Sequence, residues 1–136
     1  MNNTGSMFSH IECTSCKKIF SKDEILKLCP VDNCGKVLFP KYDLNIEKSR
    51  KYIDDLKNRE PNMWRYKEFL PVNYEENIIS LGEGFTPILD AKNLAYDIGI
   101  KKLLIKDESL NPTSSFKARG LSAAVSKAKE LGIKKF

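Results

Sequence analysis

Cys13, Cys16, Cys29 and Cys34 are the only cysteines of this 136-residue chain, and all four fall near its amino terminus. Their spacing is C-x2-C, twelve residues, then C-x4-C. Two short-spaced pairs flanking a small loop suit a tetrahedral thiolate site, because each pair wraps one side of the ion and the loop brings the pairs together. Gly35 follows the last cysteine, where a tight knuckle calls for positive φ. The spacing therefore predicts a zinc site made of these four thiolates inside a small module. Its β-type segments are expected at "KIF" and "KVLFP". The competing readings are reduced structural cysteines, or two disulfides in an exported protein. The opening "MNNTGSMF" has neither a basic n-region nor an apolar h-region, so no signal peptide is expected. Four thiolates already close a zinc shell, so His10, the single histidine, is expected at the surface.

Charge adds little. The net charge is +5, with 23 basic and 18 acidic residues interleaved as in "EKSRKYIDDLKNRE". Such mixing marks a solvated helix face and not a phosphate-binding patch. No apolar run reaches the length of a bilayer span. A cytoplasmic protein that binds neither nucleic acid nor membrane is the expectation.

Three parts follow along the chain. Residues 1–43 read as the cysteine module. Residues 44–77 read as a connector. It opens with a helix placing Tyr52, Ile53 and Leu56 on one side, ends that helix at Glu60-Pro61-Asn62, and continues as an aromatic strap, "MWRYKEFLPV". Trp64, Tyr66 and Phe69 are expected in the core. Residues 78–136 read as the start of an α/β domain. There, a Gly-Glu-Gly turn precedes Thr86-Pro87, a short helix ends at Gly99, and "KKLLIKDE" forms a strand. A helix follows in which Leu121, Ala124, Val125, Ala128 and Leu131 recur at helical spacing up to Gly132. "IKKF" is expected to open another strand.

Between strand and helix lies "LNPTSSFKARG". If Ser115 caps the helix, Lys117 sits in its first turn, where the helix dipole disfavours an ammonium and favours the neutral amine. A neutral amine is the nucleophile that attacks an aldehyde to form a Schiff base. Lysine is ordinarily placed in the last turn, so Lys117 breaks a local rule, as functional residues do. The plain alternative is a surface lysine whose stem reaches water.

The stretches "WRYKEFLPV", "SLGEGFTPIL", "LLIKDESLNPTSSFKARG" and "ELGIKKF", following a Cys-Cys module, resemble in content and order the pyridoxal-phosphate enzymes of the tryptophan-synthase-β type (fold type II), threonine synthases above all. The resemblance runs from Cys13 onward. It implies that Lys117 forms the Schiff base with pyridoxal 5′-phosphate. By the same resemblance Asn111 to Ser115 shape the loop leading to it, Phe116 edges the cofactor pocket, and Arg119 supports the lysine from behind. Many threonine synthases have glycine at the position of Ser114 and aspartate at that of Ala118. Relatives with other activities, such as cysteate synthases and amino-acid ammonia-lyases, carry the same kind of lysine motif.

Members of the family are several hundred residues long, with a glycine-rich phosphate loop beyond the lysine. The seven glycines here never cluster in that way. The chain thus reads as an amino-terminal portion, inactive alone, of an enzyme that converts O-phosphohomoserine and water to threonine and phosphate, a homo-oligomer at full length. A stand-alone zinc-ribbon binding module is the alternative from another class.

Overall fold

The computed structural model describes residues 2–135, with the side chains of residues 46, 48 and 49 left aside. The cysteine segment builds a three-stranded antiparallel sheet from β1 (Phe8–Cys13), β2 (Ile19–Ser21) and β3 (Leu38–Tyr42), in the order β2-β1-β3. Both expected β segments are present. The central strand was not anticipated. "FSHIEC" has little β-branched content, so its strand state comes from pairing on both sides, with Ile11 opposite Phe20 and Pro40. Pro40 is tolerated because β3 is an edge strand.

The helix of the connector is α1 (Ile46–Asp55), followed by a 3₁₀ turn at Leu56–Asn58. Tyr52 and Leu56 are half-buried, whereas Ile53 is exposed. The aromatic strap is a kinked 3₁₀ segment, Met63–Phe69, started by the Asn62 side chain, which accepts the Trp64 N–H at 2.8 Å. Met63, Trp64 and Val72 form the main core cluster, with Leu70, Ile78 and Ala123 packed against it. Tyr66 departs from expectation. It is 44% exposed, with the Arg65 guanidinium 5.9 Å from its ring centroid.

The amino terminus is part of this strap. Thr4 donates its N–H to the Asn73 carbonyl and its hydroxyl to that of Val72. The Ser6 hydroxyl reaches the Leu70 carbonyl, and Met7 N–H reaches that of Glu68. Buried Glu68 in turn takes a forked pair from Arg59, at 2.7 and 2.8 Å.

In the last part, β4 (Ile88–Asp90) and β5 (Leu104–Lys106) pair antiparallel and are joined through α2 (Lys92–Asp97). The expected alternation of helix and strand is present, and both observed sheets are antiparallel. The final helix, α3, spans Lys117–Glu130 and ends before Gly132. Residues 133–135 form no strand, and the rest of the expected "IKKF" strand, Phe136, lies outside the described residues. The buried side of α3 also differs from the periodicity. Ala118, Ser122, Ser126 and Ala128 are buried, while Leu121 is exposed. The reason is the chain that lies there. An extended segment around Ile79 needs partners for its backbone, and the small hydroxyls of Ser122 and Ser126 supply them, Ser122 donating to the Ile79 carbonyl at 2.7 Å and Ser126 accepting its N–H at 2.8 Å. No helix among the described residues is long and apolar enough to cross a membrane.

Candidate cofactor and metal sites

The four cysteine sulfurs converge. Cys13 Sγ lies 3.5 Å from Cys34 Sγ, and Cys16 Sγ lies 3.6 Å from Cys29 Sγ. All four sit within 4.8 Å of one another. Sulfurs bound to one tetrahedral zinc at about 2.3 Å are separated by roughly 3.8 Å, so the cluster has the dimensions of such a shell. Backbone turns hold it. Cys13 N–H bonds the Lys18 carbonyl, Cys29 N–H that of Lys36, and Cys34 N–H that of Val31. Lys17, Asn33 and Gly35 take positive φ to turn the chain around the sulfurs. Burial pushes the Cys13 thiol up, but the backbone N–H groups of Ser15 and Cys16 and the neighbouring thiols outweigh it and bring it down to about 6. Burial drives Cys29 the other way, to about 12. Thiolate ligands must lose their protons to bind a metal, so metal binding at such a cluster is coupled to proton release. His10 stands apart on β1, its ring Nδ1 3.0 Å from the Ser9 hydroxyl.

The second site is the loop that delivers Lys117. β5 ends at Lys106, and a 3₁₀ turn (Glu108–Leu110) follows, capped by Asp107. Phe116 is the residue before the helix and has helical φ/ψ. Ser115 still performs part of a cap, since its Oγ accepts the Lys117 N–H at 3.3 Å. Lys117 is therefore the first residue of α3, as expected. Its side chain is exposed, and its Nζ has no hydrogen-bond or ion-pair partner among the described residues. Phe116 beside it is 65% exposed. Ser114 takes φ +52, a left-handed conformation that glycine adopts without strain.

Behind this turn lies a polar knot. The Glu108 carboxylate receives Arg119 Nε at 2.7 Å and Nη2 at 2.8 Å, the Thr86 hydroxyl at 2.5 Å, and Asn111 Nδ2 at 2.9 Å. The Arg119 guanidinium, with those other two donors, holds the Glu108 carboxyl well below the usual carboxylate range. The same carboxylate raises Arg119. Asn111 also accepts the Gly84 N–H at 3.0 Å. Three distant sequence stretches are thus tied together: the Gly-Glu-Gly turn with Thr86, the turn after β5, and the first turn of α3. Asn111 is buried and spends both its amide ends on this knot. Gly84 is pressed into it at φ +98. A Cβ there would lie 2.7 Å from the Met63 nitrogen and 2.9 Å from Arg119 Nη1.

Glu83 completes the wall. It is 1% exposed, and Trp64 Nε1, the Ser80 hydroxyl and the Leu81 N–H all donate to it. Burial works against its ionised form, yet the hydrogen-bond donors around it leave its carboxyl below the ordinary value. Lys106 is not a free lysine, since it donates to the Thr86 carbonyl at 2.7 Å. The structure thus brings Asn111, Ser115, Phe116, Lys117 and Arg119 into one loop and first turn, and the four cysteines into a separate cluster. Glu83, Thr86 and Glu108 were missed as members of the site. Their signal was the pair of segments "GEGFTP" and "KDESLNP", in which hydroxyl and carboxylate groups cluster around backbone turns.

Residues 79–136 match the model of the pyridoxal-phosphate dependent enzyme family. Among curated proteins, the chain is 43% identical over 121 residues to the threonine synthase of Methanocaldococcus jannaschii, covering 89% of this chain and 29% of that protein. It is 40% identical over 124 residues to the threonine synthase of Methanosarcina acetivorans, covering 91% and 29%. A threonine synthase of Halalkalibacterium halodurans is 49% identical over 76 residues, covering 52% and 21%. The chain spans less than a third of the length of these relatives. No solved structure matches it significantly. Lys117 and the knot behind it fall inside residues 79–136, the segment that matches the pyridoxal-phosphate dependent enzymes, and most of the chain is similar to part of these threonine synthases.

Proposed function

We propose that this chain supplies the cofactor lysine of a threonine synthase, an enzyme that converts O-phosphohomoserine and water to threonine and phosphate. The observation that carries the reading is the partner-free Lys117 amine at the first turn of α3, backed by the Glu108–Arg119 knot and set within the segment that matches the cofactor's family. Similarity to threonine synthases along most of the chain supports the choice of substrate.

In this account Lys117 holds pyridoxal 5′-phosphate through its Nζ. When bound, the cofactor supplies an electron sink for charge that develops on the substrate carbons. Lys117 Nζ also moves protons at the substrate Cα and Cβ. Arg119 clamps the turn onto Glu108, so the lysine leaves the helix in one direction. Phe116 edges the cofactor pocket, and Ser115 holds the helix start. Asn111 fixes the loop, joining Gly84 to Glu108. Residues 1–43 form a structural zinc module whose ligands are Cys13, Cys16, Cys29 and Cys34. Residues 44–77 connect it to the cofactor-binding part, residues 78–136, in a cytoplasmic homo-oligomer that engages neither nucleic acid nor membrane.

The test is phosphate release from O-phosphohomoserine by protein expressed from the complete reading frame. Turnover is expected there and is expected to vanish in Lys117→Ala. Residues 1–136 alone, which have no glycine-rich phosphate cradle, are expected to release none. Full activity in Lys117→Ala would end the assignment. For the metal, protein purified without added zinc should carry about one equivalent per chain; a metal-free preparation with four reactive thiols would end that part.

A further inference from the structure

The loop between Cys16 and Cys29 does more than join two ligand pairs. Its turn at residues 21–24 is closed locally, with Glu24 Oε1 accepting the Ser21 N–H at 2.8 Å. Beyond that turn it reaches the last two turns of α3. Lys22 Nζ donates to Asn73 Oδ1 at 2.9 Å. Asn73 Nδ2 donates to Glu130 Oε1 at 2.7 Å, and Asn73 N–H to Glu130 Oε2 at 2.7 Å. Lys127 Nζ bonds the same Glu130 Oε1 at 2.8 Å and lies 3.4 Å from Asp23 Oδ1. The contacts form a closed ring: Lys22, Asn73, Glu130, Lys127, Asp23. Glu130 and Lys127 are largely buried within it. Ile25 and Leu26 of the same loop line an open groove of about 350 Å³ together with Pro71, Ala124 and Leu131.

We propose that metal binding by the four cysteines locks the Lys22–Leu26 turn onto the carboxy-terminal half of α3, and so steadies the helix that begins at Lys117. The inference rests on the metal reading above. Its physical basis is loop closure. Cys16 and Cys29 bound the twelve-residue loop, and their sulfurs are 3.6 Å apart. One ion holding both ends removes much of the entropy that the loop would otherwise lose on docking. Without the ion, the ring must hold the loop by itself. Its outer link, Lys127 to Asp23, involves a mostly exposed carboxylate and contributes little alone. Ile25, 64% exposed beside the open groove, adds little further packing. α3 is a rigid element, so order imposed on its last turns is felt along its length.

The test is amide hydrogen exchange on the chain with zinc bound, after chelation, and after zinc is restored. Amides of residues 122–131 are expected to exchange at least about tenfold faster on chelation, a local loss of about 1.4 kcal/mol, and to recover with zinc. Amides of β4 and β5, which lie outside the ring, are the control and should change little. A Lys22→Ala, Asp23→Ala double variant keeps all four ligands. It should still bind one zinc, while its α3 amides exchange at the chelated rate whether or not zinc is present. If zinc leaves and α3 exchange is unchanged, the coupling is refuted. Equal acceleration in β4, β5 and α3 refutes it as well, because the metal would then act on the whole fold. A variant that keeps the full response also refutes it. Failure to bind zinc in the first place would refute the metal reading instead, and is read separately from metal content.

Discussion

Replacing Gly84 by alanine probes the close approach on which the lysine loop is built. Gly84 has φ +98, and its new Cβ would sit 2.7 Å from the Met63 backbone nitrogen, 2.9 Å from Arg119 Nη1 and 3.0 Å from Met63 Cβ. The backbone conformation costs a residue with a Cβ about 1–2 kcal/mol. The steric term is separate. The Met63 N–H already bonds the Glu83 carbonyl at 2.8 Å, so the strap cannot retreat without breaking that bond. Forcing a methyl group into such packing costs about 1–3 kcal/mol. The sum is about 2–5 kcal/mol, which for a chain of this size lowers Tm by roughly 6–20 °C. Gly82→Ala is the internal standard. Gly82 also has positive φ, at +84, but nothing lies within 4 Å of its built Cβ. It should lose only the conformational part, about 1–2 kcal/mol. Thermal unfolding of both variants at neutral pH measures the difference. If Gly84→Ala melts within about 2 °C of Gly82→Ala, the strap does not press on this turn and the reasoning fails.

Two further outcomes follow from buried charges. Arg59→Met leaves the Glu68 carboxylate buried without its forked partner and should cost about 3–5 kcal/mol in denaturant unfolding, whereas Arg59→Met combined with Glu68→Gln should recover much of the loss; equal destabilisation in both would show that the pair is not the cause. Glu108, Glu83 and Glu130 are all held below their ordinary values, so their contribution is complete above about pH 4.3, the unfolded carboxylate range, and is lost as pH falls towards their folded values. The stability difference between the wild type and Glu108→Gln should be constant from pH 7 to about pH 5 and shrink below about pH 4; a difference that already shrinks near neutrality would contradict this.

Much of the site was legible because its chemistry is written in local spacing. C-x2-C and C-x4-C bring sulfurs together almost regardless of what surrounds them, and "NPTSSFK" places a lysine at a helix start through its own turn residues. What was not legible depends on partners far away in sequence. β1 is a strand because β2 and β3 flank it, not because "FSHIEC" favours one. The amino-terminal "NTGSM" gained its role only from the carbonyls of Glu68, Leu70 and Val72. Periodicity placed the core of α3 along Leu121, Ala124, Val125, Ala128 and Leu131, of which Ala128 is buried and Leu121 exposed. The segment around Ile79 is extended and needs hydrogen bonds close to the helix, so Ser122 and Ser126 occupy that face. Glu108 takes its role only from Arg119, Thr86 and Asn111, whose donors converge on its carboxylate.

The central claim is that Lys117 is the residue that holds pyridoxal 5′-phosphate, and chemical trapping addresses it directly. Protein expressed from the complete reading frame is incubated with the cofactor, reduced with borohydride, digested, and mapped for the covalent adduct. The label is expected on the peptide carrying Lys117, with the visible absorbance of the bound cofactor lost on reduction. Both should be absent in Lys117→Ala and in Lys117→Arg, whose guanidinium stays charged. An adduct of wild-type yield on Lys106 or any other lysine in those variants would contradict the assignment and the reading of the loop with it.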